Sequence, residues 1–179
     1  SLSPEDELVP QLDVLNNLNA TWELIAADDA RQRVARLNLV AGRKARQALA
    51  YQDALGYISV GLSLLGKRSW ETSYELPFWL HLEALECEYL TANFERADQL
   101  FKTLIANARS KLDKGRIYRI KILLDNSEER YEEVVKVGIA ALRLFGIRYV
   151  RHPTRLDVLI QLLLVRVRLR GRTPQDLLE

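Results

Sequence analysis

The 179-residue chain has one cysteine, no methionine, 8 glycines and 5 prolines. A single thiol, Cys87, cannot close an internal disulfide, which points to a reducing compartment. It lies in the apolar-periodic stretch LHLEALECEYL, where a buried packing thiol is expected rather than a nucleophile. So few glycines and prolines leave too few turn signals for an all-β fold. No charged segment followed by an apolar run opens the chain, and no apolar stretch reaches the roughly 20 residues that span a bilayer. The longest such run, LDVLIQLLLVRVRL, is interrupted by Gln161 and Arg166. A soluble, cytoplasmic protein is the expectation.

Chemistry-bearing motifs are equally scarce. His81 and His152 have no cysteine or histidine at metal-ligand spacing. There is no Gly-x-Gly-x-x-Gly or Gly-x4-Gly-Lys-Ser/Thr phosphate loop and no nucleophile-elbow serine. Glu86/Glu88 and Glu132/Glu133 stand where ordinary surface charges of helices stand. No catalytic, cofactor-binding or metal-binding residue emerges, and the chain is expected to be non-enzymatic, with no cofactor.

What is present favours helix: 48% apolar and 28% charged residues, dominated by Leu, Ala, Arg and Glu. DELVPQLDVLNNL carries a helical apolar stripe, and Asp28 or Asp29 can cap a helix reaching Gln47. Further helices are expected over about 49–65, ended by a left-handed cap at Gly66, and over 76–91 with Pro77 in its first turn. Others follow over 94–108, 113–124, 129–145 (closed by Gly146) and 154–170. No segment alternates with period two. The expectation is an all-α fold of about eight helices.

Those helices pair. Tyr51-x-x-Ala54, Phe94-x-x-Ala97 and Tyr131-x-x-Val134 are three copies of one pattern. Packing residues follow at plus four (Ile58, Phe101, Gly138) and at plus seven (Gly61, Leu104, Ala141). An aromatic plugging a turn, then a small residue admitting a close helix axis, is how a tetratricopeptide second helix meets its partner. Ala41-Gly42 supplies the small pair on the first helix of copy one. The domain is therefore expected to be a tetratricopeptide-like α-solenoid of antiparallel hairpins over 1–179. Its repeats fall at about 28–66, 73–110 and 113–146, with flanking helices near 5–18 and 154–170.

In that register the concave groove is lined by five positions of each first helix. Copy one supplies Arg36, Leu39, Arg43, Arg46 and Gln47, and copy two Trp79, Leu82, Glu86, Tyr89 and Leu90. Copy three supplies Arg116, Arg119, Leu123, Asn126 and Ser127. Arginines at both ends and an aromatic-apolar middle suit an extended acidic peptide with an apolar anchor. Charge is polarised along the chain. Residues 1–30 hold seven acids and no Lys or Arg, whereas residues 143–172 hold eight arginines against Asp157. Arg166, Arg168, Arg170 and Arg172 recur at every second position and so scatter around a helix rather than tracking phosphates. A nucleic-acid partner is not expected. The aromatics Trp70, Tyr74, Phe78 and Trp79 cluster at one helix start, where packing between hairpins is their usual use.

The blocks ARLNLVAGRKARQALAYQDALGYISVGLSLLG, SWETSYEL, YLTANFERADQLF and LLDKGRIYRIKI, with the closing GRTPQDLL, resemble one known arrangement. It is the tetratricopeptide-like region of large signalling proteins, which follows a Ser/Thr kinase-like domain and a P-loop predicted ATPase and precedes GAF and histidine-kinase modules. Pro77, DNSEER (125–130) and RYVRHPT depart from that pattern. The resemblance implies a fragment of a longer polypeptide whose catalytic domains lie elsewhere. It also implies a sensor or scaffold arm that binds a protein or peptide partner, or packs on neighbouring domains of its own chain. A regulatory spacer or self-association module with no external ligand is the alternative.

Overall fold

The computed structural model describes residues 12–21, 27–66, 69–127, 129–147, 159–160 and 162–163. Among these the chain is all-α, with eight helices: α1 (Leu12–Ala20), α2 (Asp28–Gln47), α3 (Tyr51–Leu64), α4 (Ser69–Thr72), α5 (Glu75–Leu90), α6 (Phe94–Asn107), α7 (Lys111–Ser127) and α8 (Tyr131–Leu144). The single turn α4 was not anticipated, and most of the helix expected at 154–170 lies outside the described residues. So do His152, the alternating arginines 166–172 and the first part of the helix expected near 5–18. None of the described helices is long and apolar enough to cross a membrane. The chain divides into two compact units, residues 1–141 and 142–179.

The first unit is a stack of helical hairpins. α2 packs on α3 and α5 on α6; each later first helix also meets the first and second helices of the hairpin before it. Thus α5 touches α2 and α3, and α7 touches α5 and α6. Small residues set the closeness. Ala54 and Ala97 are fully buried, and a Cβ on Gly42 would stand 2.8 Å from Ile58 Cγ1. A Cβ on Gly61 would stand 2.8 Å from Leu80 Cδ2 and 3.3 Å from Asn38 Cβ, so the α3–α5 contact also depends on a missing side chain.

The turns between α2 and α3, α5 and α6, and α7 and α8 share one geometry. Leu49, Ala92 and Glu129 adopt left-handed φ values of 63°, 60° and 58°, each two residues before the aromatic of its copy. In each turn the next N–H reaches back five residues: Ala50 to Ala45 O, Asn93 to Glu88 O and Arg130 to Asp125 O, at 2.8–3.0 Å. This satisfies carbonyls that the helix end would otherwise leave unpaired.

Two caps differ from expectation. Ala27 precedes α2, and Asp28 and Asp29 are its first two helical residues, so they act on the helix dipole rather than as side-chain caps. α3 ends at Leu64 with Leu65 extended (φ −81°, ψ 128°), and the left-handed glycine among the described residues is Gly146, at φ 80° after α8. The aromatic plug holds for Phe94, whose ring lies 6.0 Å from that of Tyr89. It does not hold for Tyr131, which is 60% exposed. α7 begins with a capping serine, Ser110 Oγ accepting from Asp113 N–H at 3.0 Å.

Candidate functional site

Because α2, α5 and α7 lie in a row, side chains far apart in sequence meet on them. Trp79, one turn into α5, has the Arg43 guanidinium of α2 5.0 Å from its ring centroid and that of Arg116 of α7 at 5.3 Å. Both distances fit cation–π attraction. Arg43 Nε donates to Glu83 Oε1 at 2.8 Å, and Arg46 Nε donates to Glu83 Oε2 at 2.8 Å. Arg46 Nη1 also donates to Glu86 Oε1 at 3.1 Å. Burial alone would lower the Arg46 pKa, but attraction to Glu83 outweighs it and the net shift is upward. On the α7 side Arg116 pairs with Asp113 at 3.1 Å.

Of the expected groove residues, this cluster unites Arg43, Arg46, Trp79, Glu86 and Arg116. Arg36, Gln47, Leu90, Arg119, Leu123 and Asn126 are exposed. Leu39, Leu82 and Tyr89 are buried at 8%, 6% and 4% exposure, so they belong to the packing between hairpins and offer no surface to a partner. The side chain of Ser127 lies outside the described residues. Glu83 is the residue the groove register missed. Its signal was present in LPFWLHLEAL, since an acid within an apolar run must find cations when the helix is buried.

A second ionic cluster joins α5, α6, α7 and the last turn. Lys121 Nζ donates to Tyr89 Oη at 2.7 Å and to Asp98 Oδ1 at 2.9 Å, and lies 3.3 Å from Asp125. Asp125 is fully buried, and Arg130 Nη2 stands 2.7 Å from its Oδ1 without the alignment of a hydrogen bond. Burial opposes the charge on Lys121, but its bonds to Tyr89 and Asp98 hold its pKa above the ordinary value. Burial would likewise raise Asp98, yet the Lys121 bond leaves it lowered. Lys121, Tyr89 and Asp98 are hydrogen-bonded to one another, whereas the Asp125 carboxylate and Arg130 Nε and Nη2 are held by charge alone; the cluster's place between α5, α6 and α7 marks it as a clamp on their packing.

The remaining polar groups are quieter. Burial pushes the Cys87 thiol up to about 12, which removes it from thiolate chemistry at neutral pH. His81 Nδ1 lies 2.7 Å from Pro77 O, its ring 5.0 Å from that of Trp70, and burial lowers its pKa. Trp70, Tyr74, Phe78 and Trp79 form a chain of ring contacts at 5.4–6.1 Å centroid spacing, and Arg109 covers Tyr74 at 4.7 Å. A cleft of about 810 Å³ opens between α1 and the α2–α3 hairpin, floored by Ala41, Ala45 and Val60. α1 is held there by the reciprocal 2.8 Å hydrogen bonds of Asn19 and Asn38.

No family model and no solved structure matches the chain. Over 144 residues it is 25% identical to the hybrid signal transduction histidine kinase G of Dictyostelium discoideum, a match covering 75% of this chain. The match spans 4% of the length of that protein. The chain is thus similar to a small part of a signal-transduction protein, which gives it a signalling-related context.

Proposed function

We propose that the chain is a tetratricopeptide-like, non-enzymatic interaction and sensor-scaffold domain of a multidomain ATPase–kinase signalling protein, working in the cytoplasm. One observation carries this. Three helices, α2, α5 and α7, contribute Arg43, Trp79 and Arg116 to one cation–aromatic cluster. A composite face of this kind suits an extended segment lying across the helices. Arg36 and Arg119 supply exposed positive charge beside it, and Leu90 and Leu123, 41% and 57% exposed, supply apolar anchor points. Glu83 and Glu86 already neutralise much of Arg43 and Arg46, so discrimination for acidic partners falls to the exposed arginines. The partner is an acidic peptide with an apolar anchor, from another protein or from a neighbouring domain.

The test is fluorescence anisotropy with a labelled Asp/Glu-rich peptide carrying one leucine. Arg36→Glu with Arg119→Glu should remove binding while the circular dichroism spectrum stays unchanged. Undiminished binding by that variant contradicts the assignment. The internal neutralisation around Glu83 also favours a second reading, an intramolecular regulatory spacer or self-association module with no external ligand.

A further inference from the structure

The cleft of about 810 Å³ between α1 and the α2–α3 hairpin has the size of a small-molecule site. Its floor is apolar, and Gly56 widens it, since a Cβ there would meet nothing within 4 Å. Two opposite charges line the same cleft. Lys44 belongs to the last turn of α2 and Asp53 to the first turn of α3, so they stand on opposite walls beside the turn that joins the helices. Both are exposed, and among the described residues neither forms an ion pair or hydrogen bond, with the other or with anything else. Arg43 and Arg46, on the same helix, differ in being spent on Glu83 and Glu86. Lys44 and Asp53 each complement the dipole of their own helix end, which consumes no hydrogen-bonding atom of either. One turn further along α3, Tyr57 Oη donates to Asn16 Oδ1 at 3.2 Å and ties that helix to α1.

We propose that this cleft binds a free α-amino acid with a large apolar side chain. The ligand's charges follow from the walls. An unpaired ammonium on one side and an unpaired carboxylate on the other call for a carboxylate and an ammonium held close together, as they are on one α-carbon. The ligand carboxylate would accept from Lys44 Nζ, and its ammonium would donate to Asp53. The apolar side chain would then lie along the floor of Ala41, Ala45 and Val60, towards Tyr57 and α1. A simple anion would satisfy Lys44 and be repelled by Asp53, and a simple cation the reverse, so the pair of walls selects a zwitterion. Both ion pairs are exposed and contribute modestly, so the expected Kd is about 1 mM, suited to a metabolite present at high concentration. The cleft uses none of the residues of the α2–α5–α7 cluster. Its failure would leave the peptide-binding assignment untouched.

Titration of the isotope-labelled 179-residue chain with L-phenylalanine, followed by amide chemical shifts, tests it. Resonances of Ala41 to Ala48 and of Asp53 to Val60 should move in a saturable way. Two further probes each remove one charge: 3-phenylpropionate lacks the ammonium and phenethylamine lacks the carboxylate. Both should bind about tenfold more weakly than phenylalanine, as should phenylalanine to Lys44→Gln or to Asp53→Asn. Gly56→Leu should abolish binding with an unchanged circular dichroism spectrum, because its side chain grows into the cleft from a position with free space around it. No shift in these segments at tens of millimolar phenylalanine overturns the proposal, whether the cleft is filled by the chain's own residues or by nothing. So does equal binding of the three probes, which would mark an apolar crevice without zwitterion selection. Binding that survives Gly56→Leu would place the ligand elsewhere and overturns it as well.

Discussion

Glu83 on α5 accepts a 2.8 Å hydrogen bond from Arg43 on α2, so a carboxylate only 7% exposed is neutralised from the preceding hairpin. Arg46 shares the same carboxylate through its second oxygen. Two guanidiniums one turn apart thus hold one acid, and the α2–α5 contact is ionic as well as apolar.

Removing that acid should be costly. Glu83→Ala leaves two part-buried arginines facing each other, and the expected loss is about 1–3 kcal/mol, less than for a fully buried pair because both arginines still reach water. Urea denaturation of the variant against wild type measures it. An unchanged midpoint would mean that the pairs add nothing to the α2–α5 contact.

Two glycines on facing helices should respond oppositely to alanine. A Cβ at Gly42 meets Ile58 Cγ1 at 2.8 Å and Ala54 O at 3.4 Å, whereas one at Gly56 meets nothing within 4 Å. Gly42→Ala should destabilise by about 1–3 kcal/mol through overpacking. Gly56→Ala should stabilise by up to about 1 kcal/mol through helix propensity. Thermal melts of the two variants decide it.

These contrasts show what was legible in the sequence. At Tyr51/Ala54 and Phe94/Ala97 the pattern falls where α3 packs on α2 and α6 on α5, because a close helix pair demands a small residue at a fixed offset from the turn. Ala41-Gly42 was legible for the same reason. The turns themselves were not, since Leu49, Ala92 and Glu129 carry no local preference for positive φ and adopt it only because the packed helices require it. In the groove, the register placed Arg43, Trp79 and Arg116 on facing helices but could not separate Leu39, Leu82 and Tyr89, which the neighbouring hairpins cover. Lys121 and Asp125 stand at i,i+4 spacing on α7, but only tertiary contact brings Asp98 of α6 and Arg130 to them.

The left-handed turns carry a testable strain. Leu49 is 71% exposed at φ 63°, so Leu49→Gly removes little packing and relieves a backbone conformation that costs an L-residue about 1 kcal/mol. The variant should melt slightly higher than wild type. A lower melting temperature would show that Leu49 stabilises through contacts its exposure does not suggest.

Acid should loosen the α6–α7 clamp. Asp98 is held below its usual pKa of about 3.9, so its contribution is present above that value and is lost as pH falls through the lowered one. Lys121, raised, keeps its contribution at every pH below about 10 and plays no part in the acid limb. Stability should therefore fall below about pH 4, with a shallower slope in Asp98→Asn. The difference is modest because the Asp98 side chain is 47% exposed and screened. Denaturation midpoints across the acid range, wild type beside variant, supply the comparison.

The face shared by α2, α5 and α7 is the central claim, and amide chemical-shift mapping addresses it most directly. Titrating the isotope-labelled chain with the acidic, leucine-bearing peptide should move the resonances of Arg36, Arg43, Trp79, Arg119 and Leu123, together with the Trp79 indole N–H, while α3 and α6 stay still. Shifts confined to α3, α6 or the α1 cleft, or no shift at millimolar peptide, would contradict it.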